Sequence, residues 1–182
     1  MTSVRWASFL LAAALAAAAC LPGGPALRAG DEVPDDLRAL AEDLWPRFVE
    51  AFPARRDCLG EVRLTVAWDL EDRARYLPEA RTVVVRAPAT APHLVASIVH
   101  ELGHHLEFAC ADQRRVRSAF LRADGLPEAA PWFGDGEWSA APSEHWAEAV
   151  VAYVVGERSF DRGRIPVTAE AVELVARWAR GG

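Results

Sequence analysis

The segment His100-Glu101-Leu102-Gly103-His104 constrains this chain more than any other stretch. Residues four apart lie on one face of an α-helix, so both imidazoles can reach a single cation while Glu101 sits beside them. The neighbouring residues agree with a helix. Val95, Ile98, Val99, Leu102 and Leu106 cluster opposite the two histidines, which predicts a helix from after Pro88 and Pro92 to about Cys110 with its back buried. Zinc suits this donor set, and a water activated there has Glu101 at hand as general base.

Two histidines are not a complete site, because catalytic zinc takes three protein ligands and keeps one position open. Glu144 and Glu148 are four apart near the start of a helix expected over Ser143 to Val155, and the rest of that helix is apolar almost all round. Carboxylates on a buried helix need a partner, a hydrogen bond or a metal. Glu144 is the natural third ligand, the alternative being a first-turn acid interacting with the helix dipole for about 0.3–1 kcal/mol. Cys110 stands where the pattern HExxHxxGxxH has a histidine, but Glu107 replaces that pattern's glycine and Cys110 is rotated by about 80° from His100. Glu107 shares the ligand face yet lies two turns beyond His100, too far to join a tetrahedral site. His105 falls outside the ligand face and reads as a surface or supporting residue.

HExxH followed forty residues after His104 by a helix bearing Glu-x-x-x-Glu resembles the gluzincin group of zinc metallopeptidases. The phrase Glu144-His145-Trp146-Ala147-Glu148-Ala149 is similar to the glutamate helix of minimal-scaffold gluzincins and of the anthrax lethal factor catalytic domain. The resemblance covers Thr82 to Gly156. It implies His100, His104 and Glu144 as zinc ligands, Glu101 as the catalytic base, and Glu148 as the carboxylate that orients a ligand histidine. It also implies that the strand Thr82 to Arg86 is the sheet edge on which a peptide substrate adds, the alternative being an ordinary core strand. One departure is plain: the lethal-factor type has an oxyanion-stabilising tyrosine seven residues before the ligand glutamate, where this chain has Glu137 and then Trp138. His145, Tyr153, Tyr76 or an arginine are the remaining candidates for that role.

Residues 1–20 read as a signal peptide, with Arg5, an apolar run from Phe9 to Leu15 and small residues before Cys20. Ala17-Ala18-Ala19-Cys20 also resembles a lipobox in which Cys20 is lipidated, so release and lipid anchoring stand side by side. Residues 21–30, with Pro22, Gly23, Gly24 and Pro25, read as a tether, and 31–182 as the folded domain. With Cys20 removed, Cys58 and Cys110 form an even pair and are expected to be bridged in an oxidising compartment. A net charge of -6 leaves no basic stripe for nucleic acid.

Helical spacing predicts a first helix over Pro34 to Phe52 with a kink at Pro46, and further helices over Asp112 to Leu121 and Thr168 to Arg180. Glu61 to Trp68 and Arg81 to Arg86 read as strands, Asp69 to Pro78 as polar and turn-rich, and Gly125 to Pro142 as a long loop. Within that loop Trp132, Phe133 and Trp138 are core residues or, alternatively, line a substrate cleft. The sum is an α+β, zincin-like domain: a short sheet packed on an active-site helix and a glutamate helix. The expected activity is that of an exported, monomeric zinc metallopeptidase, an endopeptidase acting on peptides or proteins. Its alternative is a non-catalytic exported binding or sensor protein on the same scaffold.

Overall fold

The computed structural model describes residues 23–134, 137–156 and 165–182. The leader, with Cys20, lies outside the described residues. The elements run β1 (Ala26–Ala29), α1 (Asp35–Ala51), α2 (Arg56–Leu59), β2 (Glu61–Ala67), β3 (Ala74–Leu77) and β4 (Thr82–Arg86). They continue α3 (Ala91–Ala109), α4 (Gln113–Ala123), α5 (Pro142–Val155) and α6 (Ala169–Ala179). A small sheet lies beside a larger helical layer, which is the α+β class the hydrophobic patterns predict.

The sheet order is β1-β2-β4-β3, with β1, β2 and β4 parallel and β3 antiparallel to β4. Two expectations are corrected here. Residues 21–30 are not all tether, because Ala26–Ala29 pair with β2, Gly30 donates its N–H to the Leu64 carbonyl at 2.8 Å, and Arg38 holds the Gly30 carbonyl at 2.9 Å. The folded unit therefore starts before Asp31. The valine strand β4 is not the edge: it sits between β2 and β3 with Val83 and Val85 fully buried. The edge is β3, inside the stretch that reads as turns, where only Tyr76 is buried.

The helical layer is organised by aromatic side chains. In α1 the buried residues Leu37, Ala41, Leu44, Trp45, Phe48 and Val49 keep helical spacing, and the helix runs on through Pro46. Phe48 leads to Phe52 (4.9 Å between ring centroids), Phe52 to Trp178 of α6 (6.1 Å), Trp178 to Trp146 of α5 (5.3 Å), and Trp146 to Phe120 of α4 (5.4 Å). The tilted and edge-on contacts along this row suit the quadrupoles of the rings.

Helix α3 buries Ile98, Val99, Leu102 and Leu106 completely, as its periodicity predicts. Its far end is pinned by a disulfide between Cys58 and Cys110, whose Cα atoms are 5.2 Å apart. On its other side α3 packs against α5 at Gly103. A Cβ added there would lie 2.9 Å from Ala147 Cα, so the helices approach as closely as a glycine permits.

Two outcomes follow for stability. Replacing Cys58 and Cys110 together by serine opens a loop of 52 residues and should lower the unfolding free energy by about 4 kcal/mol in denaturant titrations. Gly103→Ala forces α3 and α5 apart and should lower it by about 1–3 kcal/mol in the same assay.

Candidate metal centre

His100, His104 and Glu144 converge, with one ligand atom from each lying within 4.8 Å of the others. His100 Nε2 is 2.9 Å from Glu144 Oε2, and His104 Nε2 is 3.4 Å from Glu144 Oε1. The spacing of four on α3 supplies both imidazoles, and the close approach at Gly103 brings α5 near enough for Glu144 to reach them. Pro142 opens α5 and Glu144 stands in its first turn. The trio could hold a metal ion: two Nε2 atoms and a carboxylate face one point at the floor of a cleft of about 700 Å³.

Each imidazole is held from behind by its second nitrogen. His100 Nδ1 faces Glu148 Oε1 at 3.4 Å, the position expected for Glu148. His104 Nδ1 donates to Glu107 Oε2 at 2.8 Å, and the other oxygen of Glu107 accepts the indole N–H of Trp132 at 2.7 Å. Glu107 lies outside the trio, and its contact with His104 is one that the sequence reading does not include. The signal was its i,i+3 spacing from His104, which is the same proximity rule that joins His100 to His104.

The electrostatics follow from burial and pairing. Burial pushes the Glu144 carboxyl up, but its hydrogen bonds to His100 and His104 outweigh this and hold it down at about 2. Burial opposes charge on His100, yet its bonds to Glu144 and Glu148 raise the ring to about 9. Burial likewise works against His104, and Glu107 and Glu144 raise it well above the usual imidazole range. Protons and a bound cation compete for the same Nε2 atoms.

Glu101 is buried beside the trio, and its carboxyl is raised by burial against the pull of His100 and His104. The backbone N–H of Tyr76 on edge strand β3 acts weakly in the same direction as the two histidines. The lining of the cleft includes β3 and the rings of Phe108, Phe133 and Trp138. These three are about half exposed, at 50%, 51% and 50%. Phe108 stacks on Phe133 at 5.2 Å and Trp138 tilts over His100 at 6.2 Å. The three loop aromatics thus divide: Phe133 and Trp138 line the cleft, whereas Trp132 is buried.

Other candidates are drawn elsewhere. His145 turns to Asp124 (2.6 Å) and the Ser139 carbonyl (3.0 Å), and the Tyr153 hydroxyl donates to the Ala51 carbonyl at 2.9 Å. The Tyr76 hydroxyl is bonded to His105 Nδ1 at 2.8 Å. His105 is fully buried rather than superficial, because its other nitrogen donates to the Leu59 carbonyl at 2.7 Å. Burial lowers its pKa to about 4. Cys110 is in the disulfide, and Glu137 carries no ligand role in the trio.

No protein-family profile, curated protein or solved structure matches this chain. The arrangement of donors therefore stands on its own geometry. If the trio holds a divalent cation, the purified protein should carry about one equivalent by elemental analysis. Glu144→Ala should retain much less after the same dialysis.

Proposed function

We propose that this protein is an exported zinc-dependent metallopeptidase of gluzincin type. The observation that carries the reading is the meeting of His100, His104 and Glu144 with Glu101 beside an open cleft and a sheet edge. Two nitrogens and one carboxylate oxygen match the donor set of a three-ligand zinc site. Zinc held there supplies a Lewis acid that activates water and polarises a carbonyl.

The side chains have separable tasks. Glu148 and Glu107 hold the two histidines with their Nε2 atoms toward the site. Glu101, buried beside the trio, takes the proton of the attacking water and can return it to the leaving amine. Edge strand β3 offers backbone groups to an extended peptide, the role first expected of Thr82 to Arg86. Phe108, Phe133 and Trp138 offer apolar surface to its side chains. The substrate class is peptide or protein, cut internally by a monomer. The Cys58–Cys110 disulfide is compatible with export, and among the described residues no helix is long and apolar enough to cross a membrane. Residues 1–20 supply the signal, with release or lipidation at Cys20 deciding between an extracellular protein and one anchored to the outer face of a bacterial membrane.

A second reading, a non-catalytic zinc-containing binding or sensor protein, is favoured by one observation. The chain's two tyrosines both direct their hydroxyls away from the trio, which leaves no tyrosine to stabilise an oxyanion. One substitution separates the readings. Glu101→Gln should keep its zinc and lose peptide hydrolysis by a hundredfold or more, on the order of what a general base contributes. Full activity in that variant rules out the peptidase mechanism, and zinc-loaded wild type that cleaves nothing in a broad peptide library selects the binding role.

A further inference from the structure

We propose that Glu107 is a positioning residue for His104 and that Trp132 sets its orientation, forming a relay from the buried aromatic row of the helical layer to a metal ligand. The inference rests on the zinc reading above. Glu107 is almost completely buried, and both of its oxygens are engaged: Oε2 by His104 Nδ1 at 2.8 Å and Oε1 by Trp132 Nε1 at 2.7 Å.

The chemistry makes these roles asymmetric. A neutral imidazole carries one N–H, and a carboxylate at Nδ1 keeps the proton there, leaving the Nε2 lone pair for a cation. An indole N–H can only donate, so the group facing it must accept. A carboxylate accepts on both sides at once. An amide cannot: glutamine at 107 would set its NH2 against either the Trp132 N–H or the His104 N–H.

Trp132 is itself firmly placed. Its ring packs edge-on against Phe120 at 5.8 Å and tilts against Trp146 at 6.3 Å, at the end of the aromatic row through the helices. Arg117 lies over the Trp132 ring at 4.6 Å and over Phe133 at 5.2 Å. The residue next to Trp132 therefore contributes to the cleft wall, while Trp132 reaches inward to the support of His104.

The test uses the full chain, with zinc affinity measured by competition with a chromophoric chelator. Wild type, Glu107→Gln, Trp132→Phe and the double variant are compared, with visible spectra of the cobalt-loaded proteins and melting temperatures of the metal-depleted ones. Glu107→Gln should bind zinc about 10–100-fold more weakly and shift the cobalt spectrum. Trp132→Phe keeps the ring but removes the N–H and should weaken binding less. In the double variant the amide can turn its NH2 toward the vacated side and its carbonyl to His104, so most of the loss should be recovered.

Unchanged zinc affinity in Glu107→Gln overturns the relay, as does a double variant no tighter than Glu107→Gln alone. A lower melting temperature with unaltered zinc affinity and cobalt spectrum also overturns it, since that is the mark of a purely structural role. If Glu107→Gln does not fold, Trp132→Phe decides by the same affinity and spectrum. Wild type that binds no zinc removes the metal reading and the relay together, whereas zinc-binding wild type with indifferent variants removes the relay alone.

Discussion

The close approach of α3 and α5 at Gly103 is the contact on which the rest of the site depends. An alanine in its place would drive a methyl group into the backbone of Ala147. Helices normally pack with their axes 8–10 Å apart, at a separation set by the side chains in the contact. A glutamate has limited reach, so Glu144 and Glu148 can meet His100 from the facing helix only if the contact residues are small. Gly103 and Ala147 serve that purpose from within the two motifs themselves. Packing and metal-site geometry thus share residues, and a sequence change at Gly103 acts on both.

The site also concentrates charge where a fold gains little from it. His100, Glu101, Glu107 and Glu148 are all buried in a layer otherwise made of leucine, valine and aromatic rings. Buried ionisable groups are costly unless paired, and replacing such pairs by apolar residues is often neutral or stabilising. Here Glu148 stands behind His100 and Glu107 behind His104, while His100 and His104 act on Glu101 against its burial. A network of this kind in a cleft marks a candidate functional site. The Asp124–His145 pair is a counterexample within the same molecule. It joins the ends of α4 and α5, while Asp124 also accepts the Thr168 N–H that begins α6, and it lies outside the metal trio.

The parts of the structure legible in the sequence are those written in local spacing. The back of α3, the pairing of His100 with His104, the reach of Glu144 and the even cysteine pair follow from residue separations and elementary chemistry. Strands β1 and β3 do not, for a physical reason. Each has only four residues, and each is defined by pairing to one neighbour that lies far away in sequence or beyond a turn. Leu27 in β1 and the adjacent Tyr76 and Leu77 in β3 carry most of their apolar signal, which shows no alternation. The edge position implied for Thr82 to Arg86 by the family resemblance gives way to its alternative, a core strand, since a run of valines marks burial but does not say on how many sides a strand is paired.

Glu107 and Trp132 show where local reasoning stops. The spacing from His104 to Glu107 is local, but the burial that gives the contact weight comes from Trp132, 25 residues later. That tryptophan is in turn held by Phe120 and Trp146, at the end of a row that begins in α1. Contacts behind His104 therefore reach across the helical layer through side chains outside the His100, His104 and Glu144 trio. The short sheet meets α3 along β3 and β4. The aromatic layer and the Cys58–Cys110 bridge hold α3 from the other side, so that the precision of a small site is underwritten by residues distributed along the whole domain.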